Sequence, residues 1–443
     1  MHSSLLLAPF LLAGSVLAKQ CLNITVPVSV SARNGVFNIP TLEGNADATT
    51  FAQNLTSIRG NFTQEALLGY ETVAGEFDIS VKFCKPDAEN GTNPTVQVLT
   101  HGLGFDKAYW DLPFNDYNYS YIDVAVDHYG FCTLSIDRLG EGNSSKADPL
   151  SVLQAPAEMS AIFELTMMLR NGTLPNVPRA FNKIVHVGHS FGSALSYLLA
   201  VMHPTASDGL VLTGFSQNGS FLPTTVASWD NKLARLNQPL RFGNISYSAV
   251  SEALLPLSNL TNQISSSLAK YNITLGEILQ YSQTTDLGDL VAGLQPTQLP
   301  KMADLPSGYL TWTDAGSNQF AFLLPEFFDP SILQFAESSK FPYTLGELLT
   351  IGSGPPMAPM FKGPVQILTG RQDAIYCGGD CLATGDPALA SIPAKSKMAF
   401  PMARTFEAYI QPDMAHGINL HYNSTGAYNV IQRFLTREGL GPS

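Results

Sequence analysis

Short apolar segments alternate with helix-like patterns along most of this chain. Nearly continuous apolar runs occur at TVQVLT (residues 95–100), FCTLSI (131–136), KIVHV (183–187), GLVLTGF (209–215) and PVQILT (364–369). Such runs are typical of strands buried on both faces of a parallel sheet. The segment after the third run repeats apolar residues at helical spacing and stops before Pro204. This alternation predicts an α/β fold, in which helices flank a mostly parallel central sheet.

Two earlier segments carry a different pattern. Residues 23–32 (NITVPVSVSA) and 76–84 (EFDISVKFC) alternate apolar with polar positions, which predicts antiparallel strands at one edge of the sheet. Near the other end of the chain, the pattern of residues 427–439 predicts a helix that Gly439 ends.

The interval between the fourth and fifth runs is too long to be a simple loop. Residues 217–362 fill it, with helical patterns at 248–260 and 274–282. Because structureless loops of this length are uncommon in compact domains, we interpret the interval as a helical cap. The rest of the α/β unit is then formed by residues 19–216 and 363–443.

The predicted cap is rich in aromatic side chains. They are Trp312, Phe320, Phe322, Phe327, Phe328 and Phe335. Such side chains either form the core of the cap itself or face the site and favour a hydrophobic ligand. The sequence leaves both interpretations open.

The first 18 residues form a short apolar run that ends in Val16-Leu17-Ala18. A run of this kind with small residues at its end predicts a secretory signal peptide cleaved after Ala18. It is too short to span a bilayer comfortably, and no later segment is apolar for long enough to be a transmembrane helix. We therefore expect a secreted protein without a stable membrane span.

Cysteines and glycosylation signals agree with an oxidising compartment. Cys377 and Cys381 could close a small loop and Cys21 with Cys84 could tie down the N-terminus, which leaves Cys132 as an expected buried thiol. The tripeptide N-x-S/T predicts N-linked glycans. It occurs at Asn23, Asn54, Asn61, Asn90, Asn118, Asn143, Asn171, Asn218, Asn244, Asn259, Asn272 and Asn423.

The charge balance narrows the range of partners. With 36 acidic and 24 basic residues the chain has a net charge of −12, and it has no basic stripe that could neutralise phosphates. These features argue against nucleic-acid binding. No histidine stands at ligand spacing from the Cys377 loop, so neither a metal site nor a cofactor is predicted.

The sequence Gly188-His189-Ser190-Phe191-Gly192 stands where a predicted strand passes into a predicted helix. In a G-x-S-x-G turn the glycines let strand and helix approach closely, and the serine hydroxyl is exposed at the carboxyl end of the sheet. The first N–H groups of the helix, including that of Phe191, are free to face a developing oxyanion. Ser190 is therefore the predicted nucleophile.

A nucleophilic serine needs a base that an acid orients. Asp373 follows one apolar strand and His416 follows the next strand-like run, so the order serine, acid, base is the one this architecture uses. Asp380 and Asp413 are poorer candidates for the acid because of the loops they occupy. His421 is the alternative base, and it stands where the C-terminal helix begins.

The second oxyanion donor is predicted in the turn His101-Gly102-Leu103-Gly104, which directly follows a strand. We expect the N–H of Leu103 to serve, with Gly104 as the alternative. Gly104, Tyr109 and Trp110 are predicted to contact substrate because they lie in or just after this turn. His101, His186 and His189 are interpreted as packing or hydrogen-bonding residues.

These motifs resemble the α/β-hydrolase superfamily, specifically secreted, esterase-like members with a large cap that are common in filamentous fungi. The resemblance rests on HGLG, SIDRLGEGNSS, VGHSFG, TGRQDAIY and AHGINLH, and it covers most of the chain from Val96 onward apart from the cap. It implies Ser190 as nucleophile, Asp373 as acid and His416 as base. The segment IDRLGEG is similar to the Asp-x-x-Gly-x-Gly loop that shapes the pocket floor in this superfamily.

Two residues of the elbow distinguish the chain from other groups of enzymes with this fold. Epoxide hydrolases and haloalkane dehalogenases, which the chain resembles in fold, carry an aspartate at the elbow instead of Ser190. Proline-specific peptidases usually have tryptophan at the position of Phe191.

The predicted reaction is cleavage of small carboxylic esters or lactones, with hydrophobic acyl or aryl groups, through an acyl-enzyme. Because the base must be neutral, activity is expected to fall as the pH drops through the usual imidazole range, near about 6.5. An acyl transferase, lactonising enzyme or cyclase would use the same residues, and a non-catalytic binding module is a further alternative.

Overall fold

A computed structural model describes residues 19–58, 60–87, 94–243, 302 and 304–442. The predicted signal peptide and the helical patterns at 248–260 and 274–282 lie outside the described residues. None of the described helices is both long enough and apolar enough to cross a bilayer.

The described strands form one large and one small sheet. They are β1 (Gln20–Phe37), β2 (Leu67–Lys85), β3 (Thr95–Thr100), β4 (Cys132–Ile136), β5 (Lys183–His189), β6 (Gly209–Thr213), β7 (Lys232–Leu233), β8 (Tyr309–Thr311), β9 (Tyr343–Thr344), β10 (Val365–Gly370) and β11 (Phe406–Gln411). The large sheet has the order β1-β2-β4-β3-β5-β6-β10-β11. From β4 to β11 neighbouring strands are parallel, whereas β1, β2 and β4 pair antiparallel. The prediction of a mostly parallel sheet with an antiparallel edge is confirmed.

Helices cover the large sheet and join its strands. They are α1 (Asn45–Thr56), α2 (Phe62–Ala66), α3 (Tyr121–Asp123), α4 (Ala155–Asn171), α5 (Phe191–Met202), α6 (Leu222–Ser228), α7 (Ala234–Asn237), α8 (Pro239–Phe242), α9 (Ala315–Phe322), α10 (Pro330–Ser339), α11 (Leu345–Thr350), α12 (Ala374–Cys377) and α13 (Ser424–Arg437). The predicted helices after the elbow and at the C-terminus are α5 and α13. Short 3₁₀ turns at 107–110, 393–399 and 418–420 and a π turn at 124–128 complete the connections.

Strands β1 and β2 form a long antiparallel hairpin that extends beyond the large sheet. Its first half alternates buried and exposed residues, with Val26 and Val28 fully buried. The predicted disulfide between Cys21 and Cys84 joins directly paired positions at its base. The hairpin is therefore anchored in the core at one end and free to cover other elements with its far end.

The described part of the interval 217–362 contains short helices and a small antiparallel sheet in the order β7-β8-β9. The sequence predicted helices there but not this sheet. Trp312, Phe322 and Tyr343 are buried in it, whereas Phe320 is exposed on its surface. The interpretation of the interval as a separate cap remains a prediction.

Candidate active site

The turn between β5 and α5 has the geometry of a nucleophile elbow. Ser190 has φ 53° and ψ −119°, a backbone conformation that is strained for any residue except glycine. A Cβ atom on Gly188 would lie 2.4 Å from the carbonyl oxygen of Gly192, and one on Gly192 would lie 2.1 Å from that of Thr100. Both positions therefore require glycine, as the motif predicted.

Ser190 is held at the carboxyl end of the sheet. Its N–H donates to the carbonyl of Thr213 at the end of β6 over 2.9 Å. The residue is 9% exposed and lines a cavity of about 500 Å³ that Leu103 also lines. The serine thus faces a space large enough for a small-molecule ligand.

Asp373 and His416 form a buried pair. Asp373 Oδ2 accepts hydrogen bonds from Nδ1 of His416 over 2.9 Å and from Oγ1 of Thr369 over 2.6 Å. Its Oδ1 accepts from the N–H groups of Ile375 and Tyr376 at the start of α12. The predicted disulfide between residues 377 and 381 closes the loop that follows. These four hydrogen bonds fix the carboxylate of Asp373. The sequence analysis did not identify Thr369 as one of the donors.

The contact between Asp373 and His416 determines which oxygen and nitrogen atoms carry protons. Burial opposes ionisation of Asp373, but the adjacent His416 and the hydrogen bonds from Thr369 and Tyr376 hold the pKa of the carboxyl below its ordinary value of 3.8. Because an ionised carboxylate only accepts, the proton of the neutral imidazole lies on Nδ1 and the lone pair on Nε2. This is the tautomer that the predicted role of His416 as a base requires.

The structure brings His416, the predicted base, close to His189, which precedes the predicted nucleophile Ser190. The rings of His416 and His189 lie 4.9 Å apart, and Nε2 of His416 is buried without a hydrogen-bond partner among the described residues. Ser190 Oγ and this nitrogen are not hydrogen-bonded to each other. Catalytic hydrogen bonds are often long in sites without substrate, so the open nitrogen is compatible with the predicted role.

The alternative base is fully occupied. Nδ1 of His421 lies 2.9 Å from the carbonyl of Gly417, and its Nε2 accepts from the N–H groups of Leu324 and Ala415. Burial lowers the pKa of His421 to about 4, although the hydrogen bond to Gly417 opposes this effect. His421 therefore stays neutral and fixes the loop that carries His416. Of the alternative acids, Asp413 is exposed and Asp380 is partly buried.

The turn after β3 is built around His101. Its Nδ1 lies 2.8 Å from the carbonyl of Gly102, and its Nε2 accepts from the N–H of Arg138 over 3.1 Å. Among the described residues, the N–H groups of Leu103 and Phe191 make no backbone hydrogen bond. Both predicted oxyanion donors thus remain available.

Gly104 has a structural role that the sequence analysis missed. It has φ +79°, and a Cβ atom there would lie 1.9 Å from the ring of Trp312. Its carbonyl accepts from the N–H of Phe341 over 2.9 Å. Gly104 therefore lets the turn pack against residues of the interval 217–362.

None of the predicted substrate contacts, Gly104, Tyr109 and Trp110, lines the cavity beside Ser190, and their contact with a substrate stays a prediction. Tyr109 and Trp110 are buried in the core. The ring of Tyr109 stacks on His189 with centroids 4.5 Å apart. Both side chains therefore lie in the core and not at the cavity. Their position in the sequence, just after the turn, could not predict this direction.

The cavity is lined instead by residues from several parts of the chain. The interval 217–362 supplies residues such as Trp229 and Leu349, and the loop after β10 supplies Tyr376. The far end of the β1–β2 hairpin supplies Phe37 and Leu67. No local signal in the sequence linked this hairpin to the site.

Arg138 joins several of these parts in a buried cluster. Its guanidinium pairs with Glu158 of α4 and Glu347 of α11 and lies 4.9 Å over the ring of Phe191. Burial raises the pKa of Glu158 well above its ordinary value and the nearby Glu347 adds to the effect, although Arg138 opposes it. Through Arg138, the cluster connects α11, which carries Glu347, to Phe191, the residue predicted to supply one oxyanion donor.

Replacement of Arg138 by methionine should lower the free energy of unfolding at pH 7 by about 3–5 kcal/mol, because it leaves buried carboxylates without their cation. Urea titration measures the effect. The matched control is Arg437→Met, which removes an exposed ion pair with Glu407 and should change the value by less than about 1 kcal/mol. Equal small effects of both substitutions would contradict the role of Arg138.

The fold and this arrangement define a class, the α/β enzymes of hydrolase type. The sequence model of the alpha/beta hydrolase family matches residues 97–421, and the chain belongs to this family. No curated protein matches the chain in sequence.

Solved structures show similarity at low identity. A thermophilic esterase of Thermogutta terrifontis with malate bound is 14% identical, with a TM-score of 0.41, over 82% of this chain and 95% of its own. An epoxide hydrolase of Vigna radiata is 15% identical, with a TM-score of 0.42, over 82% and 95% respectively. Because one fold can support many different reactions, the choice of reaction depends on the chain's own residues.

Proposed function

We propose that this protein is a secreted serine hydrolase that cleaves small carboxylic esters or lactones with hydrophobic acyl or aryl groups. The observation that carries the proposal is a strained, cavity-facing Ser190 together with His416, whose ring lies 4.9 Å from that of the adjacent His189, whose Nδ1 is held by Asp373 and whose Nε2 is open. A serine at the elbow favours acyl transfer, since it becomes a nucleophile when a neighbouring base takes its proton.

In this mechanism Ser190 attacks the ester carbonyl while Nε2 of His416 takes the hydroxyl proton. Asp373 stabilises the imidazolium that forms. The N–H groups of Leu103 and Phe191 donate to the oxyanion, and losing one such donor typically costs about 10²- to 10³-fold in rate. His416 then protonates the leaving alcohol, and water releases the acyl group from the serine.

Secretion is supported by the two disulfides and by the apolar first 18 residues. The full chain expressed in a eukaryotic secretory host should therefore appear in the medium with Lys19 as its first residue. This material should hydrolyse uncharged aryl esters, with the released phenol measured by absorbance. Retention inside the cell would contradict secretion, and a secreted, folded protein without activity on any ester of a panel varied in acyl and alcohol groups would contradict the proposed reaction.

A further inference from the structure

The cavity beside Ser190 changes in character from its inner to its outer end. The inner wall is buried and largely apolar, with Leu103, Trp229 and Ile375. The outer wall is exposed and polar, with Asn61 and Arg33. A ligand that fills this space would place an apolar body near the serine and a polar end near solvent.

Arg33 is the one charged side chain among the described residues that line the cavity. In the described part of the chain it makes no ion pair with a carboxylate, and its guanidinium lies 5.7 Å over the ring of Tyr70. Stacking of this kind orients the group while leaving its five N–H donors available. The cation is thus presented at the rim without an internal partner.

The position of Arg33 is set by a rigid element. Arg33, Gly35 and Phe37 alternate along β1, so all three present the same face of the strand to the cavity over on the order of 13 Å. Gly35 is fixed to the side chain of Gln154 by two hydrogen bonds of 2.8 Å. The hairpin therefore holds the cation on the same strand face as the apolar side chain of Phe37.

The negative net charge of the protein makes the local positive charge of Arg33 important for binding an anionic ligand. With a net charge of −12 the protein repels anions at long range, so an anionic ligand needs a local cation where it enters. A planar guanidinium recognises a carboxylate through two parallel hydrogen bonds.

We propose that the enzyme prefers esters that carry a carboxylate at the end remote from the reacting carbonyl, and that Arg33 binds this carboxylate. The inference rests on the proposed ester hydrolysis and names its substrate class. The remote carboxylate belongs either to the acyl part or to the alcohol part of the ester. The apolar body between carboxylate and ester lies along this face of β1 in both cases.

The test compares kcat/KM for pairs of esters that differ only in the remote group, a free carboxylate against its methyl ester. One arm uses aryl monoesters of dicarboxylic acids of increasing length, and a second arm places the carboxylate on the alcohol part. The carboxylate should raise kcat/KM by about three- to fivefold in one arm, the range expected of an exposed ion pair. The preference should diminish as salt is added.

Two substitutions separate recognition from structure. Arg33→Gln should abolish the preference, so that the carboxylate ester and its methyl ester have equal kcat/KM, and Arg33→Lys should retain part of the preference because the charge remains. Tyr70→Phe keeps the ring under the guanidinium and is the matched control.

Equal values for carboxylate and methyl ester in the original enzyme, or equal losses for both in Arg33→Gln, would overturn the inference alone. Absence of turnover of every ester, together with absence of labelling by a fluorophosphonate, would overturn the proposed function and the inference with it.

Discussion

Replacing Ser190 by alanine is expected to lower kcat for ester hydrolysis on the order of 10⁶-fold, the loss seen when a triad hydrolase loses its nucleophile. The same substitution should abolish labelling by a fluorophosphonate, because this reagent needs a nucleophilic hydroxyl at the elbow. The fold should be retained, since the substitution removes only the side-chain oxygen of Ser190, a residue that lines the cavity. Mass spectrometry of the labelled protein and turnover of an uncharged aryl ester measure the two effects.

Ser353 provides the matched control, since it also lines the cavity and its hydroxyl only donates to the carbonyl of Thr350. Ser353→Ala should keep both labelling and turnover. Label that survives in Ser190→Ala would assign the nucleophile to another residue. Ser190→Gly should be at least as stable as Ser190→Ala, because glycine adopts φ 53° without strain.

The large sheet could be predicted because its parallel strands are buried on both faces, which leaves a distinct apolar run for each. The elbow could be predicted because a short motif holds both glycines that close backbone packing requires, Gly188 against Gly192 and Gly192 against Thr100. Order along the chain then selected Asp373 and His416, which the structure joins by a hydrogen bond.

Other features depend on contacts that leave no local pattern. In the far half of the hairpin, the residues of β2 are all partly or fully exposed, so no alternation of apolar and polar positions marks a strand over the cavity. Arg138 and Glu347 are 209 residues apart, and nothing near either residue predicts their pairing. Strands of two or three residues, as in β7 and β9, are too short for alternation to be recognised.

Tyr109 and Trp110 show the limit of arguing from position. Both follow the oxyanion turn closely, as predicted, but the 3₁₀ turn at 107–110 directs them into the core. Burial raises the pKa of Tyr109 above its ordinary range, and its ring supports His189 from below. In a 3₁₀ turn, which has three residues per turn, successive side chains point to different faces. A stretch of four residues is too short for a periodic pattern to show which of them face the core.

Asp373→Asn is the second substitution with a large expected effect, a loss of about 10⁴-fold in kcat, as known for the buried aspartate of serine protease triads. The amide would keep an acceptor for the N–H groups of Ile375 and Tyr376, but its NH₂ would face His416 Nδ1. This favours the tautomer with the proton on Nε2, which cannot accept the proton of Ser190. Asp413→Asn is the matched control, because this exposed residue of the histidine's own loop has φ 57°, which asparagine tolerates.

The same substitution tests the electrostatics through pH. The pKa of Asp373 is lowered in the folded protein, so the ionised carboxylate contributes stability above its unfolded value, near 3.8, and this contribution is lost as the pH falls through the native pKa. Urea titrations should therefore show Asp373→Asn to be less stable than the original protein at pH 7, with the difference shrinking below pH 3.8. A difference that grew on acidification would mean that the carboxyl is protonated in the native site, and an acid of that kind could not hold His416 in the tautomer that hydrolysis requires.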